Sequence, residues 1–415
     1  MNTPNIRFKG FNNAWEQRKL SEVANFIRGS FPQPYTNPDF YDEYGGKPFV
    51  QVGDIGMDLL LNDDTKAHIS SLAEKKSRFV KSGTVIVALQ GSIEKSIGRT
   101  AITQYDAFID RTILIFESYK IPINKLFFAQ TIKSLFEKEK EKAWGATIST
   151  ITKEHLSNFI IGIPNVDEQK RLGEYFKNLD NLITLHQRKC DSLKQVKKYM
   201  LQKMFPKQGE KVPEIRFAGF TGDWEQRKYS DIATTRRGLT YKPDNIVDDG
   251  KRVLRSSNIN EDTFEIHNDD VFVGEDAINI PYVKNGDILI TSANGSSRLV
   301  GKHAIIRDIP DNAVVHGGFM LIASSDEPEF VNALMSSQWY TKFINIYVAG
   351  GNGAIGNLNK NDLDEQIVFV PSKGEREKIG TLFANLDTLI TLHQRKSDSL
   401  KEIKKFMLQN MFPQK

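Results

Sequence analysis

The sequence predicts a mixed α/β (α+β) protein in which two globular domains alternate with two long helices, and the helices pack as an antiparallel coiled coil. Three observations predict this. The chain is an internal repeat, each half ends in a heptad pattern, and the stretches before those patterns hold short β-branched runs. At about 150 residues per domain, a chain of 415 residues suits two or three domains.

The repeat is visible in short, nearly identical blocks. Residues 4–11 recur as 213–220, WEQRK at 15–19 recurs at 224–228, and 179–189 recur as 386–396. The intervening stretches, 20–165 and 229–370, differ in most residues but share a skeleton: KSGTVIV at 81–87 matches KNGDILI at 284–290, and IGR at 97–99 matches VGK at 300–302. Each half therefore has the same fold with a different surface, related by a pseudo-twofold axis. A duplicated enzyme would instead be expected to keep its catalytic residues alike.

Within each half the first predicted elements are short strands bounded by Gly, Asn, Asp and Pro. β-branched runs predict strands at 84–89, 112–116, 159–163, 287–291 and 366–370. Amphipathic helices are predicted at 123–143 and 328–345. These elements make each globular domain a mixed α/β unit.

The repeated blocks are predicted to be coiled-coil helices, each ending near a Phe-Pro pair. A companion row is predicted three residues after the first, starting at Tyr175 and Leu382. A central polar layer, His186 with Lys189 and His393 with Lys396, is expected to fix the register of the helix pair. The residues of the first row, which define the predicted seam, are Leu172, Leu179, His186, Leu193 and Met200, then Ile379, Leu386, His393, Leu400 and Met407. The predicted order is therefore a domain at 1–165, a helix at 166–206, a domain at 207–371 and a helix at 372–415.

Composition narrows the function classes. A single cysteine, Cys190, excludes a disulfide framework and a cysteine-cluster metal site, and the seven histidines lack zinc-site spacing. No apolar run is long enough to span a membrane, so we expect a soluble, cytoplasmic protein. The 56 Lys and Arg against 52 Asp and Glu permit a nucleic-acid partner. Since much of the positive charge lies on the long helices, we expect weak DNA binding by the isolated chain and tight binding only in a complex.

Catalytic motifs do not fit. The GxGxxG pattern at 351–356 lacks an acidic residue about 20 positions on, and the P-loop-like stretch at 295–302 has the wrong spacing. Asp244 and Asp249 are expected in a Gly-containing loop without a strand to fix them. A stand-alone nuclease stays an alternative that would require magnesium-dependent cutting by the purified chain.

The order and duplication of these blocks resemble the specificity subunit of type I restriction–modification systems. The resemblance rests on the WEQRK openings, on EQKR at 168–171 and EREK at 375–378, and on the repeated LD and LITLHQRK helices, and it covers essentially the whole chain. It implies a non-catalytic subunit without metal or cofactor of its own. It further implies a complex with two methyltransferase subunits that use S-adenosylmethionine, and with restriction subunits that use ATP and magnesium.

Two different readers on a stiff spacer suit a bipartite double-stranded DNA target. A helix over 167–203 would be roughly 55 Å long at about 1.5 Å per residue, against about 34–36 Å per DNA turn. Four residues inserted before Leu172 would add about 6 Å and lengthen the unread spacer by one or two base pairs, at about 3.4 Å per base. The alternative is a helical adaptor whose variable domains bind protein ligands.

Base reading requires Arg or Lys for guanine and Asn or Gln for adenine. The loops at 90–99 and 294–302 are the strongest candidates, because each follows a strand and contains small residues that let the backbone approach phosphate. For any single residue the alternative is an ordinary solvated side chain. For Tyr241, packing on a thymine methyl group or a sugar and packing in the core are equal alternatives. The candidate DNA-binding residues are Arg28, Gln51, Gln90, Lys95, Arg99 and Arg111 in the first half, and Arg236, Arg237, Tyr241, Arg255, Asn258, Asn294, Ser296, Arg298 and Lys302 in the second.

Overall fold

The structure is a computed structural model that describes residues 3–91, 96–142, 156–207, 209–348 and 356–413. The chain forms two compact units: unit 1 is Met1–Gln187 with Arg395–Lys415, and unit 2 is Arg188–Gln394. Each unit therefore contains one globular part and a portion of both long helices. The four-segment division stated above follows chain order and stays a prediction.

Unit 1 combines short strands with helices that include the first long one. Its strands, over the described residues, are β1 (Glu16–Lys19), β2 (Ala24–Arg28), β3 (Lys47–Val50), β4 (Ala67–Ile69), β5 (Arg78–Val80), β6 (Val85–Ala88), β7 (Thr100–Ile102), β8 (Ala107–Ile109), β9 (Ile113–Tyr119) and β10 (Ile160–Ile163). The helices are α1 (Leu20–Val23), α2 (Ser71–Glu74), α3 (Lys125–Lys142) and α4 (Val166–Lys203), the last of which continues into unit 2.

The sheets of unit 1 are built around a four-stranded antiparallel sheet, in the order β2-β9-β6-β7. A second sheet, β4-β3-β8-β5, includes the parallel pair β3 and β8, and β1 pairs with β10. Strand β6 is buried on both faces: Val85 and Val87 join the core under α3, whereas Ile86 and Ala88 face the core shared with the second sheet. This explains why the run lacks the apolar–polar alternation of a half-exposed strand.

Unit 2 repeats this plan. Its strands are β11 (Glu225–Lys228), β12 (Thr234–Arg237), β13 (Ile246–Leu254), β14 (Ile259–Asn260), β15 (Thr263–Phe264), β16 (Val271–Val273), β17 (Ile288–Thr291), β18 (His303–Ile305), β19 (Val314–His316), β20 (Met320–Ser324) and β21 (Ile367–Val370). Its helices are α5 (Pro328–Met335), α6 (Gln338–Tyr347), α7 (Lys360–Asp364) and α8 (Lys373–Asn410), whose end belongs to unit 1.

The order β12-β20-β17-β18 reproduces β2-β9-β6-β7, and the parallel pair β13 and β19 corresponds to β3 and β8. The predicted shared fold is confirmed, as are all five predicted strands, whose ends agree to within three residues. Asp249, which was expected in a loop, lies in β13.

Of the two shorter helices predicted, the one at 123–143 is observed as α3, but the one at 328–345 is instead two helices. Ser336 and Ser337 interrupt it. The Ser336 hydroxyl lies 3.2 Å from His303 Nε2, so it pairs with a buried side chain of β18.

Within each unit the two long helices run antiparallel. In unit 1 the Asp180 carboxylate accepts from Lys404 Nζ at 2.5 Å, and the rings of Phe176 and Phe412 lie 5.8 Å apart, so earlier residues of α4 meet later residues of α8. In unit 2 Lys197 Nζ lies 2.6 Å from Asp387 Oδ1, and Phe205 packs on Phe383 at 6.0 Å. The predicted antiparallel packing is confirmed.

The predicted first row lies at the helix contact, but the predicted companion row is wrong. Leu172, Leu179, Ile379, Leu386 and Leu400 are buried, and the other five seam residues are half-buried. The companion row lies four residues after the first row instead of three. It comprises Phe176, Ile183, Cys190, Lys197 and Met204 on or just after α4, and Phe383, Ile390, Ser397, Lys404 and Met411 on or just after α8.

Residues three and four positions after the first row both lie beside it on a helix of about 3.6 residues per turn. Periodicity alone therefore does not show which of the two rows is buried. The expected polar layer is likewise corrected: Lys189 and Lys396 are exposed, while the buried polar positions hold the ion pairs of Lys404 with Asp180 and Lys197 with Asp387.

Candidate nucleic-acid interface

The polar candidates of unit 1 converge because of strand direction. In the antiparallel sheet, β2 and β6 end where β7 and β9 begin: Arg28 pairs with Leu114, and Ala88 pairs with Ile113. Four candidates lie at an end of one of these strands or within two residues of it: Arg28, Gln90, Arg99 and Arg111. They therefore lie along one edge, which we call the strand-end edge of unit 1.

Unit 2 has the same edge. Strands β12 and β17 end where β18 and β20 begin, with Arg237 paired to Leu321 and Thr291 paired to Met320. The candidates in these strands, or in the loop between β17 and β18, are Arg236, Arg237, Asn294, Ser296, Arg298 and Lys302. Equal topology thus brings different side chains to equivalent places.

The second sheet of each unit adds residues to this edge. The Asp110 amide donates to the Val50 carbonyl at 3.0 Å, and the Gly317 amide donates to the Leu254 carbonyl at 2.9 Å. Gln51 and Arg255 follow directly on Val50 and Leu254 in the chain. Both therefore lie beside the strand-end edge.

A shared turn precedes β7 in unit 1 and β18 in unit 2. Gly98 donates to the Ala88 carbonyl at 2.9 Å, and Gly301 donates to the Thr291 carbonyl at 2.8 Å. Both glycines have positive φ values, +79° and +85°, and a Cβ would lie 2.5 Å from Phe136 or Ile344. The backbone conformation therefore disfavours a larger residue at both positions, and at Gly98 the Cβ atom of Phe136 also blocks it. This explains why the matched IGR and VGK triplets survive in otherwise different halves.

In unit 1 the candidates are anchored to different extents. Arg99 Nη1 donates to the Ile55 carbonyl at 3.1 Å, which ties the loop end to the neighbouring loop. Arg111 is exposed and lies over the Tyr35 ring at 5.0 Å, while the Tyr35 hydroxyl donates to Asp110 at 2.5 Å. Burial, together with this bond, raises the pKa of Tyr35 well above its usual value. Gln51 and Gln90 are half-buried, and Lys95 lies outside the described residues.

In unit 2 Arg237, Ser296 and Arg298 are exposed, and Lys302 is half-buried. Asn294 donates to the Ser256 hydroxyl at 2.9 Å and accepts from the Ser296 amide at 2.9 Å, so the 294–302 loop is held against the neighbouring sheet.

Other candidates of unit 2 also have structural partners. Arg236 donates to Asp287 at 2.8 Å, which makes it part of a partly buried ion pair. Arg255 Nη2 lies 3.5 Å from the Asp269 carbonyl. Tyr241 is half-buried and packs against the small core around Leu239 and Val253, so packing is its observed role.

Asn258 is buried and therefore does not present its amide to solvent, where a base would bind. Its side chain is fully buried, donates to Asp270 at 2.9 Å and to the Glu265 carbonyl at 3.0 Å, and accepts from the Arg255 amide at 2.8 Å. Asp54 occupies the equivalent place in unit 1 and accepts from the Gln51 amide at 2.8 Å. The correction follows from loop chemistry: a buried loop needs internal acceptors for its amides.

Sequence reasoning missed two residues at these edges. Arg78 Nη1 donates to the Arg28 carbonyl at 2.6 Å, which supports the end of β2. Phe319, on the turn before β20, is 74% exposed. The Gly-Gly-Phe sequence before an apolar run was the available signal for a turn bearing an outward aromatic ring.

The long helices carry a second apolar surface, which we call the outer stripe. In unit 1 it comprises Leu182, Leu185, Ile403 and Phe406, and in unit 2 Leu389, Leu392, Val196 and Tyr199. All eight side chains are 41% to 59% exposed. On each long helix the exposed pair recurs after 14 residues, or two heptads, outside the helix contact.

In unit 1 the helix pair also contacts the globular part. Thr184 of α4 donates to Asp58 at 3.2 Å. Within the globular part, Lys133 of α3 donates to the Met57 carbonyl. Burial lowers the pKa of Lys133 to about 8, and the nearby Lys404 ammonium acts in the same direction. In unit 2, Lys197 bonds Asp262 at 3.1 Å as well as Asp387. In the described residues no group of three or more His, Cys, Asp or Glu could hold a metal ion.

Comparison with known proteins decides the family. The family model described as the type I restriction modification DNA specificity domain matches residues 12–195 and again 221–402. The chain belongs to this family. The two matches fall on the two halves of the internal repeat, so this DNA-specificity domain is present twice, and the family favours DNA recognition over the adaptor alternative.

Relatives of the type I specificity family cover nearly the whole chain. It is 22% identical over 405 residues to the type I restriction enzyme MjaVIII specificity subunit of Methanocaldococcus jannaschii, covering 94% of this chain and 90% of that protein. It is 22% identical over 392 residues to the EcoKI specificity subunit of Escherichia coli, covering 90% and 83%. Among solved structures, the type I restriction-modification S subunit from M. genitalium matches with a TM-score of 0.62 at 17% identity over 100% of both chains, which supports the fold.

No described helix is both long enough and apolar enough to cross a lipid bilayer.

Proposed function

We propose that this specificity subunit reads a bipartite DNA target, with the strand-end edge of each unit contacting one half. One observation carries the proposal: the same sheet topology brings polar side chains of different identity to equivalent edges. Gln51 of unit 1 occupies the place of Arg255 in unit 2, and Arg99 occupies the place of Lys302. Such a pair recognises two different half-sites, because base contacts depend on side-chain identity whereas placement depends on fold.

The chemistry of the exposed candidates suits direct readout. Arg111, Arg237 and Arg298 are exposed arginines, and an arginine can donate two hydrogen bonds to guanine O6 and N7. Gln90 and Asn294 are the amides suited to adenine. Arg99 makes one hydrogen bond inside the protein and Asn294 makes two, which pre-orients these two side chains.

We further propose that the outer stripe binds helices of methyltransferase subunits, one at each unit. Two observations support this. The stripe leaves four apolar side chains exposed in each unit, and Leu182 and Leu185 correspond in the repeat to Leu389 and Leu392. Equivalent surfaces favour two copies of one partner.

Catalysis is assigned to the partners in this proposal. The methyltransferase subunits would use S-adenosylmethionine, and restriction subunits, where present, would use ATP and magnesium; the chain itself would be non-catalytic. It would act in the cytoplasm, bind DNA weakly alone and bind it tightly within the complex, and the helix length would set the unread spacer.

The test is a methylation map. Cells that express the chain with its methyltransferase are sequenced by a method that reports methylated bases, with Arg237→Ala in unit 2 and Arg111→Ala in unit 1 as separate variants. We expect each variant to relax or weaken only one half of the site, because each edge reads separately. Tyr44→Ala is the control, since Tyr44 is 97% exposed and precedes β3, at the end of that strand opposite Gln51. A site altered in both halves by either variant would contradict the proposal.

A further inference from the structure

Phe319 is a large apolar side chain left in solvent at the strand-end edge of unit 2. It is 74% exposed, while the next residue, Met320, is 1% exposed in the core. A lone exposed apolar residue is common on protein surfaces. Its position and its rigid support set this one apart.

The turn that carries Phe319 is held by the backbone. The Phe319 carbonyl accepts from the Ser292 amide at 2.9 Å and from the Ala293 amide at 3.1 Å. The Met320 amide donates to the Gly317 carbonyl at 2.9 Å, which closes the turn. The ring is therefore presented from a fixed backbone at the base of the 294–302 loop.

The surroundings of Phe319 are those of the proposed reading residues. Its backbone bonds to the residues that immediately precede Asn294, and it precedes by two residues Leu321, the strand partner of Arg237. The backbone of Phe319 thus lies between the segment that leads to Asn294 and the strand that pairs with Arg237.

Unit 1 has no aromatic ring at the equivalent position. The Leu89 amide donates to the Thr112 carbonyl at 2.9 Å, as Ser292 does to Phe319, which makes Thr112 the counterpart. Thr112 turns its hydroxyl back to Asp110 Oδ1 at 2.5 Å. The two edges therefore differ in chemistry at one matched point: apolar and outward in unit 2, polar and internally bonded in unit 1.

We propose that Phe319 makes an apolar base contact and is a specificity-determining residue for the half-site read by unit 2. This rests on the proposed function. An aromatic ring presented among hydrogen-bonding side chains contacts the surfaces of DNA that those side chains do not satisfy, namely a thymine methyl group or the face of an unstacked base. Thr112 gives unit 1 no such contact.

The experiment uses the full chain assembled with its methyltransferase and a duplex that contains the mapped site. Phe319→Ala is expected to weaken binding by about tenfold or more, which corresponds to about 1.4 kcal/mol and is typical of a lost aromatic base contact. It should also relax one base position in the half-site of unit 2 and leave the other half-site unchanged. Thermal stability should not change, because the side chain is exposed.

Two further arms distinguish the contact. If the ring touches a thymine methyl group, replacing that thymine by uracil weakens wild-type binding but not Phe319→Ala, and Phe319→Leu keeps most of the affinity. If the ring stacks on a base, Phe319→Leu loses affinity like Phe319→Ala, and uracil has no effect. Either result supports the proposal.

Wild-type affinity and an unchanged methylated motif in Phe319→Ala would overturn it. If Arg237→Ala still alters that half-site, only the inference about Phe319 fails. If Arg237→Ala also has no effect, the proposed reading edge fails with it.

Discussion

Lys133 gives a stability prediction whose size follows from its surroundings. Its half-buried side chain reaches from α3 towards the loop at Met57, near Lys404 of the helix pair of unit 1. The pKa falls from 10.5 to about 8. At about 1.36 kcal/mol per pKa unit, the charged form destabilises the folded state by up to about 3 kcal/mol at pH 7. The figure is an upper bound, because part of the side chain remains in contact with solvent.

The sign of the pH dependence follows directly. Below pH 8 both the folded and the unfolded chain carry the proton, so the destabilisation is fully present. Between about pH 8 and pH 10.5 the unfolded chain binds more protons than the folded chain, so the free energy of unfolding rises with pH. Lys133→Met removes this contribution.

The assay is urea denaturation of the wild type and Lys133→Met from pH 7 to pH 10.5, with the fluorescence of buried Trp15 reporting on unit 1 in a background that lacks the other tryptophans. We expect Lys133→Met to be the more stable protein at pH 7, less the loss of the bond to the Met57 carbonyl, and its advantage to shrink as pH rises. Lys75→Met, at an exposed lysine of the same unit, is the control. A difference between Lys133→Met and wild type that does not vary with pH would refute the reasoning.

Three other predictions concern the helices. Lys404→Met should destabilise unit 1 by about 3–5 kcal/mol, because it leaves the buried Asp180 carboxylate without its cation. In thermal unfolding, the double variant with Asp180→Leu should recover most of the lost stability. No recovery would argue against the ion pair as the cause. Leu182→Asp with Leu185→Asp should remove one methyltransferase of two, with partner affinity falling about 30-fold or more, as seen by native mass spectrometry. Full occupancy in that variant would exclude the outer stripe as the docking surface. One heptad inserted in both helices, after residues 187 and 394, should keep the helix contact and lengthen the methylated spacer by about three base pairs, from about 1.5 Å per residue and about 3.4 Å per base; an unchanged spacer in the methylation map would reject the ruler.

The repeat made much of the fold predictable. Matched blocks predicted two units of one topology, and β-branched runs located strands such as β6 and β17 because strands buried on both faces read as continuous apolar stretches. The companion row failed because Leu182 and Ile183, three and four residues after Leu179, are both apolar, so the pattern permits two registers. Which row is buried depends on the partner helix, through pairs such as Lys404 with Asp180.

The candidate edge was predictable in part. Placing loops after strands correctly located the 294–302 loop, since strand ends meet at one edge once the sheet order is known. The roles of Asn258 and Arg236 were not visible in the sequence, because an amide that braces its own loop and an amide that reads a base are the same residue type. Contacts with Asp270 and Asp287 separate those roles, and they come from residues distant in the chain.

The chain segments that form each unit determine the order in which the units are completed during translation. Unit 2 is one uninterrupted stretch, Arg188–Gln394, whereas unit 1 needs Arg395–Lys415 in addition to its first 187 residues. Phe412, which packs on Trp15 at 5.8 Å, and Lys404, which neutralises Asp180, leave the ribosome after every residue of unit 2. The half of the protein that is translated second can thus mature first. The half translated first keeps an apolar surface uncovered until Arg395–Lys415 has been made.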